Sequence, residues 1–437
     1  MNRYNFLLLL FFFPVANDTT AQKLLKLEEA ITIALEDNYD LRISKNEVEI
    51  AAIENSTINS GYLPTVDATG GVSYANENQS ASFNDGSDIS ISGAETESYN
   101  ASITAEYTLF DGFERKHTVK QQGENLELEQ LRNRQEIENT IVSIYETFYD
   151  VAFQSQVVTN LLVNIENSTD RLDRAKRGLK YGQGTKLDEL NAQVDLNNDS
   201  ISYASELSQL QNLKRSLNLL LGHAPNADIV VDTTVIFSAY LEEQQILDLA
   251  MANNVEMILA NQNILLSELD IQINRAQFLP KITGNGSYRW NENQNPPTSF
   301  ALTNETHGYN LGINLSWSIF DGGARRTRIE TGRVNVLNRQ IELEKVNAQV
   351  KTDIYNAHEI YKNNIFTLQA ETKNVLTNQA NFERTKRQYS LGQINAIDFR
   401  QAQVNLINAK NNRDRAKYDL KISEINLKQL AGLLLEK

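Results

Sequence analysis

An internal duplication is the feature that most constrains the fold of this chain. The segment SGYLPTVDATGGVSY at 60–74 matches RAQFLPKITGNGSYRW at 275–290 with a shift of 216 residues. Further along, LFDG at 109–112 matches IFDG at 319–322 with a shift of 210 residues. Matches that recur in the same order at a nearly constant shift indicate two copies of one structural unit.

The N-terminus has the features of a secretory signal peptide. Arg3 precedes an apolar run from Phe6 to Phe13, and a polar stretch ends near Ala21, where we expect cleavage. The apolar run is too short for a membrane helix, although a buried N-terminal helix is an alternative. The chain then divides into a signal peptide (1–21), a first repeat (22–222), a linker (223–239) and a second repeat (240–437).

Each repeat contains two segments in which apolar and polar residues alternate. Alternation with a period of two predicts a β-strand with one apolar and one polar face. A length of about ten residues also suits a tilted strand that crosses a bilayer. The predicted strands are about 65–74 and 99–109 in the first repeat, and about 281–290 and 309–319 in the second.

Aromatic residues flank these predicted strands as they do in membrane β-barrels. A small soluble sandwich is the alternative, but its core does not require aromatic residues at both strand ends. The polar stretches 75–98 and 291–308 are predicted as extracellular loops. The predicted membrane girdle consists of Tyr74, Tyr99, Trp290 and Tyr309 at the loop side and Phe110 and Phe320 at the helix side.

Four strands cannot close a barrel, because about eight are needed to surround even a filled interior. An open sheet edge is not viable in lipid, so the barrel must be shared between chains. A dimer would supply eight strands and a trimer twelve. The polar strand faces favour the larger barrel with an aqueous lumen, lined among others by Thr104, Glu106, Asn314 and Ser316.

Long helices account for most of the remaining chain. A helix is predicted from about Phe113 to Tyr181, and a second returns from about Lys186 to Leu221 with the three-and-four apolar spacing of coiled coils. The turn between them lies near 182–186, and its counterpart in the second repeat lies near 390–396. The predicted fold class is therefore mainly α with membrane β strands, built from a duplicated unit.

Composition excludes several function classes. The formal net charge is −15, and no basic cluster is present, so we expect no nucleic-acid partner. The chain has no cysteine and only four scattered histidines, and it has no nucleophile motif. We therefore expect no metal, no cofactor and no enzymatic activity. The charged run Arg171–Arg177 is interpreted as a solvated helix face.

These motifs together resemble the TolC-type outer-membrane efflux proteins. The resemblance rests on the YLP and FLP junctions, the two FDG turns, the Gly-to-Asp spacing in both hairpins and the duplication. It implies a homotrimer with a twelve-strand β-barrel continued by a periplasmic α-helical barrel, in the outer membrane of a Gram-negative bacterium. It also implies docking to a periplasmic adaptor (a membrane fusion protein) and to an inner-membrane pump of the RND, ABC or MFS class, for efflux or type I secretion.

The same resemblance assigns roles at the hairpin turns. Asp398 corresponds to an aperture acid, and Asp188 is its counterpart in the first repeat. Two positions depart from the family pattern, since Gln401 replaces a second acid and Ile394 a basic residue. A helix cap or first-turn acid is the alternative role for both aspartates. The turn residues implied to contact the adaptor are Gly182, Gln183, Gly392 and Gln393.

A second class of function also fits a duplicated, mainly helical secreted chain. It is a secreted coiled-coil scaffold or adhesin stalk, in which the strands form a soluble β head. The two hypotheses differ in whether the mature protein requires detergent to stay in solution.

Overall fold

Long helices dominate the fold, as a computed structural model of residues 24–82, 84–240, 242–296, 299 and 301–435 shows. The predicted signal peptide lies outside the described residues. The described helices are α1 (Leu27–Asp37), α2 (Tyr39–Glu54), α3 (Glu114–Lys180), α4 (Lys186–Leu220), α5 (Glu243–Asn253), α6 (Val255–Ala276), α7 (Ala324–Ser390) and α8 (Ala396–Leu430).

The two longest helices, α3 and α7, each run for 67 residues. Neither contains proline, and both are rich in Leu, Glu, Gln, Lys, Arg and Ala, which favour helix. The ends of α3 and α4 lie within a residue of those expected from the sequence. None of the described helices is both long and apolar enough to cross a membrane.

Four of the described strands form one antiparallel sheet in the order β2-β3-β5-β6. A separate parallel pair joins β1 to β4. The described strands are β1 (Leu24–Leu25), β2 (Thr65–Ser82), β3 (Asp88–Phe110), β4 (Val230–Val231), β5 (Lys281–Gln294) and β6 (Thr303–Ser316).

The strands of the first hairpin extend far into the predicted loop 75–98, which is therefore wrong as a loop. The β2–β3 ladder continues past a bulge to the pair Ser82 and Asp88. In this extension Asn76 pairs with Glu95. Because polar residues occupy both faces there, alternation is lost although the backbone ladder persists. The second predicted loop, 291–308, is also shorter than expected, because β5 and β6 extend into it from both ends. At its other end, β6 stops three residues before the predicted residue 319.

The chain folds into two compact units, and each is built from parts of both repeats. The unit with both hairpin turns, called the hairpin unit, comprises the described residues of Met1–Tyr39, Asn139–Leu241 and Asn356–Lys428. The unit with the four-stranded sheet, called the sheet unit, comprises those of Asp40–Glu138, Glu242–Tyr355 and Gln429–Lys437.

Aromatic and aliphatic side chains form the core of the hairpin unit. Phe148, Tyr149 and Leu217 are buried in it, and the ring of Tyr149 stacks on that of Tyr418 with centroids 5.2 Å apart. The segment between the repeats packs against this core, since Tyr418 donates its hydroxyl to the Thr233 carbonyl oxygen at 3.3 Å.

Matching asparagines close the same helix joint in both repeats. Asn38 Nδ2 donates to the Leu220 carbonyl oxygen at 2.8 Å in the hairpin unit. Asn254 Nδ2 donates to the Leu430 carbonyl oxygen at 3.0 Å in the sheet unit. Each asparagine thereby satisfies a carbonyl at the C-terminus of a long helix, which has no partner within that helix.

Candidate functional site: the sheet faces and the hairpin turns

A Phe-Asp-Gly turn joins β3 to α3. The Asp111 carboxylate accepts hydrogen bonds from the backbone N–H of Arg115 at 3.3 Å and from its Nε at 2.5 Å. Arg115 Nη1 donates to the Gly61 carbonyl oxygen at 3.1 Å, and its guanidinium carbon lies 4.8 Å from the ring centroid of Tyr62. One arginine therefore fastens the start of the long helix to the segment that precedes the first sheet strand.

The second Phe-Asp-Gly turn has the same contacts. Asp321 accepts from the backbone N–H of Arg325 at 2.9 Å and from its Nε at 3.0 Å. Arg325 Nη1 donates to the Gln277 carbonyl oxygen at 3.0 Å, and its guanidinium carbon lies 4.9 Å from the ring centroid of Phe278. The repeated FDG motif is thus a joint that sets how each long helix leaves the sheet.

The glycines of these two turns differ in their surroundings. Gly112 has φ +69° and Gly322 has φ +67°, a conformation that glycine adopts without strain. A Cβ on Gly112 would lie 2.3 Å from the Ala276 carbonyl oxygen and 2.8 Å from Leu279 Cβ. Apart from Gly322 itself and its two chain neighbours, no described residue has an atom within 4 Å of a Cβ placed on Gly322. The first turn is covered by the second repeat, and the second turn is open.

The ladder register places the apolar residues of all four strands on one face of the sheet. Residues directly opposite one another share a face. One apolar row is formed by Ala68, Ile103, Tyr288 and Tyr309. These side chains have no partner layer within the sheet unit, since Ile103, Tyr288 and Tyr309 are 57%, 53% and 82% exposed. Such a face is suited to contact with lipid.

The predicted girdle residues at the loop side lie on this apolar face. Tyr74, Tyr99, Trp290 and Tyr309 pair with Glu97, Glu292, His307 and Tyr288 respectively. The polar tips of two of them are hydrogen-bonded, because Tyr99 Oη donates to Glu97 at 2.9 Å and Trp290 Nε1 donates to Glu305 at 3.0 Å. Aromatic side chains with a polar tip are typical of a membrane–water interface.

The two predicted girdle residues at the helix side lie in different settings. Phe110 ends β3, where a bulge after Thr108 pairs it with Ile282 on the apolar face. Phe320 follows the end of β6 and is 84% exposed.

The opposite face of the sheet is polar and includes the four predicted lumen residues. Asp67, Thr104, Ser287 and Asn310 form one row across all four strands. The neighbouring positions repeat this character, with hydroxyl and amide side chains predominating. Glu106 pairs with Asn285, Asn314 pairs with Thr283, and Ser316 pairs with Lys281.

The first hairpin turn joins α3 to α4 through a glycine in the left-handed conformation. Gly182 has φ +69°, its N–H donates to the Leu179 carbonyl oxygen at 3.2 Å, and the N–H of Gln183 donates to the Gly178 carbonyl oxygen at 2.8 Å. This pair of bonds satisfies carbonyls at the end of α3, as in a Schellman motif. The turn geometry explains why glycine is required at this position.

The second hairpin turn repeats this geometry between α7 and α8. Gly392 has φ +74°, its N–H donates to the Tyr389 carbonyl oxygen at 3.1 Å, and the N–H of Gln393 donates to the Gln388 carbonyl oxygen at 2.9 Å. Both predicted tip pairs, Gly-Gln in each repeat, therefore occupy the same structural position.

The two predicted aperture acids occupy equivalent positions but have different partners. Asp188 forms a capping box with Thr185, because its carboxylate accepts from the Thr185 backbone N–H at 2.8 Å and from the hydroxyl at 2.7 Å. These hydrogen bonds hold the pKa of Asp188 below its usual value. The backbone N–H of Asp398 donates to Asn395 Oδ1 at 2.9 Å, and its exposed carboxylate has no hydrogen-bond or ion-pair partner among the described residues.

A cleft of about 910 Å³ lies between the two hairpin turns. Asp188 and Gly392 line it from opposite hairpins, whereas Asp398 does not line it. Arg171 and Arg400 also contribute to its walls. Positive and negative side chains thus meet in the space between the hairpins.

Arg171 is a residue that sequence analysis misjudged as part of a solvated face. It is 5% exposed and donates through Nη1 to Asp195 at 3.0 Å and through Nη2 to Ser168 Oγ at 3.0 Å. Burial lowers the pKa of Arg171, although Asp195 opposes that effect. One feature of the sequence indicated that α4 could pair with a buried arginine. Asp195 and Asp199 are four residues apart, which places two acids on one face of that helix.

These sheet faces and hairpins are features of outer-membrane channels. The chain belongs to the outer membrane efflux protein family, whose model matches residues 30–223 and 246–433. Members of this family are channels rather than enzymes.

Curated relatives of this chain include secretion and outer-membrane proteins. The outer membrane protein TolC of Vibrio cholerae is 21% identical over 268 residues, which is 61% of this chain and 61% of that protein. The chain thus aligns with less than two thirds of that relative. The proteases secretion protein PrtF of Dickeya chrysanthemi is 20% identical over 426 residues, which is 93% of this chain and 88% of that protein.

Solved structures of outer-membrane channels share the fold. The Campylobacter jejuni CmeC outer membrane channel matches with a TM-score of 0.76 at 14% identity, covering 93% of this chain and 85% of that chain. The open-state MtrE outer membrane channel of Neisseria gonorrhoeae matches with a TM-score of 0.71 at 15% identity, covering 93% and 89%.

Proposed function

We propose that this chain is the outer-membrane channel-tunnel subunit of an envelope-spanning efflux or type I secretion system. It acts as a passive exit duct and catalyses no reaction. The observation that carries the proposal is the sheet, because its apolar residues share one exposed face and its polar residues share the other. A sheet of this kind suits the wall of an aqueous pore in lipid.

The sheet ends in two strands, β2 and β6, that each pair with one other strand among the described residues. Unpaired strand edges are costly in lipid, so further copies of the chain must pair with them. Three copies supply twelve strands, which leaves room for a polar lumen. A homotrimer also gives the open turn at Gly322 a neighbour equivalent to the one that covers Gly112.

The duplication supplies the register between copies. Within the chain Ile103 pairs with Tyr288. In the duplication, Ile313 is the counterpart of Ile103, 210 positions later, and Val72 is the counterpart of Tyr288, 216 positions earlier. The equivalent pair between copies therefore joins Ile313 of one copy to Val72 of the next. The same correspondence pairs Asn314 with Gly71. Apolar residues then meet apolar ones across the new strand pair, as they do within the chain.

The hairpin turns are the surfaces that dock a periplasmic adaptor (a membrane fusion protein). The adaptor connects the duct to an inner-membrane pump of the RND, ABC or MFS class. Both turns expose a large apolar residue just before the glycine, since Tyr181 is 70% and Leu391 is 71% exposed. Exposed apolar groups at two equivalent tips suit a protein partner. The contacting turn residues in this proposal are Gly182, Gln183, Gly392 and Gln393.

Asp398 is the aperture acid of the duct, and Asp188 has the lesser role. Three copies of an unpaired carboxylate at a narrow opening would repel one another and concentrate cations. Asp188 is already engaged by Thr185, so its carboxylate is held at the helix start.

Conductance measurements on the detergent-purified protein in planar lipid bilayers test this proposal. We expect stable cation-selective channels that hexaamminecobalt(III) blocks from the hairpin side. Asp398→Asn should weaken selectivity and block, whereas Asp188→Asn should change them less. Absence of channels, together with a mature protein that stays in the aqueous phase without detergent, would contradict the duct and favour a soluble scaffold.

A further inference from the structure

A bidentate ion pair joins the first turns of α8 to α4 inside the hairpin unit. Arg400 Nη1 donates to Asp199 Oδ2 at 2.9 Å, and Arg400 Nη2 donates to Asp199 Oδ1 at 2.5 Å. Asp199 is 4% exposed. Two parallel hydrogen bonds fix the orientation of both side chains as well as their distance.

Helix α3 continues this network from the other side of Asp199. Ser168 Oγ donates to Asp199 Oδ2 at 2.5 Å and accepts from Arg171 Nη2 at 3.0 Å. Arg171 Nη1 donates to Asp195 at 3.0 Å. Two arginines and two aspartates from three helices therefore balance one another in a largely buried position.

Two further contacts attach the beginning of α8 to its surroundings. Gln403 Nε2 donates to Asn164 Oδ1 on α3, and both side chains are buried. The Phe399 ring is 4% exposed and stacks on Tyr389 with centroids 4.8 Å apart and an interplanar angle of 9°. Asp398 immediately precedes this fixed segment, so its backbone position follows that of Phe399 and Arg400.

Because Asp199 is buried, its ion pair with Arg400 strongly favours the position of α8 against α4. Moving α8 away from α4 would leave the buried Asp199 carboxylate without Arg400, its only ion-pair partner among the described residues, which is strongly unfavourable. A lysine in place of Arg400 could supply charge but not two parallel hydrogen bonds.

We propose that Arg400 is a positioning residue, which holds the first turn of α8, and with it Asp398, against α4 through Asp199. The inference rests on the proposed role of Asp398 at the aperture. The ion pair between Arg400 and Asp199 thus attaches the second hairpin to the first hairpin of the same chain. In this arrangement the position of Asp398 on the second hairpin depends on the buried carboxylate of Asp199 on the first hairpin.

Distance measurements test the attachment directly. Because the chain has no cysteine, Ile397→Cys and Ser200→Cys introduce unique spin-label sites on the exposed surfaces of α8 and α4. Electron paramagnetic resonance on labelled chains diluted with unlabelled ones should give a narrow distance distribution. Arg400→Gln and Asp199→Asn should each broaden it, and Arg400→Lys should have an intermediate effect. An unchanged distribution in Arg400→Gln would overturn the proposal.

The exposed ion pair between Arg415 and Asp150 is a matched control. It also links α8 to another long helix, at 2.9 Å, but its side chains are 46% and 41% exposed. Arg415→Gln should leave the distance distribution unchanged. Equal broadening by Arg415→Gln and Arg400→Gln would show general loosening of the hairpin unit and would also overturn the proposal.

Measurements of channel block test whether the ion pair between Arg400 and Asp199 affects the aperture. Arg400→Gln should raise the half-blocking concentration of hexaamminecobalt(III) about tenfold, equivalent to about 1.4 kcal/mol. In an Asp398→Asn background the same substitution should cause no further change. Asp199→Asn combined with Arg400→Gln should match the single variants, because one pair is lost in each. An additional effect of Arg400→Gln when Asp398 is absent would contradict positioning.

The two proposals fail in distinguishable ways. If Asp398→Asn leaves block unchanged while Arg400→Gln broadens the distance distribution, the attachment is supported and the aperture role of Asp398 is lost. If Asp398→Asn weakens block while Arg400→Gln changes neither readout, the aperture stands and the positioning role of Arg400 is overturned.

Discussion

Gly112 in the first repeat is covered by the second repeat, whereas its counterpart Gly322 faces open space in the single chain. The parts of α3 and α7 that belong to the sheet unit also differ in how much of their surface is covered. Leu131 is 9% exposed, and Ile341, at the matching position, is 62% exposed. The repeats thus share local structure but differ in what covers them. In the homotrimer that we propose, a first repeat from another copy covers the open surfaces of the second repeat.

The hairpin turns differ in a complementary way. Asp188 is bound within its own turn by Thr185, and Asp398 has no such partner among the described residues. Identical backbone geometry therefore does not imply identical roles for the two acids. The free carboxylate is the one that we assign to the aperture.

Substitution of Gly112 should have the largest effect. Gly112→Ala places a methyl group 2.3 Å from the Ala276 carbonyl oxygen in a left-handed conformation. We expect a loss of about 2–5 kcal/mol in the free energy of unfolding, from overpacking together with backbone strain. Urea titration of the purified protein measures this loss.

Gly322→Ala sharpens the comparison between repeats. In an isolated chain it should cost only the backbone strain, about 1–2 kcal/mol. If another copy covers the second turn, the same variant should also reduce the yield of the oligomer, as measured by native mass spectrometry. An oligomer yield equal to that of the unmodified protein would show that no copy packs closely at Gly322.

Charges on opposite sheet faces should have the next largest effect. Ile103→Arg should cost about 2–4 kcal/mol near the bilayer midplane, because the side chain faces lipid in the proposed barrel. Thr104→Arg should be tolerated on the polar face. The counterparts Ile313→Arg and Asn314→Arg should repeat this order. Unfolding in lipid vesicles measures all four, and a reversed order in either repeat would contradict the assignment of the faces.

Glu424 predicts acid sensitivity of the hairpin unit. Burial would raise its pKa, but hydrogen bonds from Lys421, Ser238 and Lys428 hold the pKa below its usual value. Because the folded-state pKa is lowered, its stabilising contribution is present above the unfolded pKa of about 4.3 and is lost as the pH falls through the folded-state value. Glu424→Gln should cost about 1–3 kcal/mol at pH 7 and should flatten this dependence.

Glu138 in the sheet unit is a control with the opposite sign. Burial raises its pKa despite the hydrogen bond from Arg134. Its contribution is therefore most favourable at low pH and is lost as the pH rises through the folded-state pKa. Urea midpoints of Glu138→Gln and Glu424→Gln, measured from about pH 2 to pH 8 so that the range extends below the unfolded carboxyl pKa, should depart from the unmodified protein in opposite directions. Parallel pH profiles would contradict the assignment of the two carboxylates.

Helix caps at the hairpin turns should have the smallest effect. Thr185→Ala and Asn395→Ala each remove a side chain that accepts from the first turn of the following helix. We expect each to cost about 1 kcal/mol. Amide hydrogen exchange in the first turns of α4 and α8 measures the loss, and unchanged exchange would show that the caps contribute nothing there.

The sequence was sufficient to predict the mainly helical class, the positions of the long helices and the two faces of the sheet. The FDG turns and the hairpin glycines are short motifs with strong local requirements, so they are visible in the chain itself. The extension of the first hairpin beyond Tyr74 was missed, because polar residues on both faces leave no alternation to detect.

The buried network around Arg171 could not be predicted for a different reason. Its members come from α3, α4 and α8, which are distant in sequence, and a charged helix residue is usually solvated. Only the packing of three helices shows that Arg171, Asp199 and Arg400 compensate one another.

Disulfide formation between copies tests the central claim most directly. Gly71→Cys and Asn314→Cys place the only two cysteines of the chain on the outer strands β2 and β6. Three strand spacings of about 4.8 Å separate these strands within one sheet, too far for a disulfide. Oxidation of the membrane-embedded protein should therefore yield covalent trimers on a non-reducing gel. Chains that remain monomeric, or products of another size, would contradict the shared twelve-strand barrel.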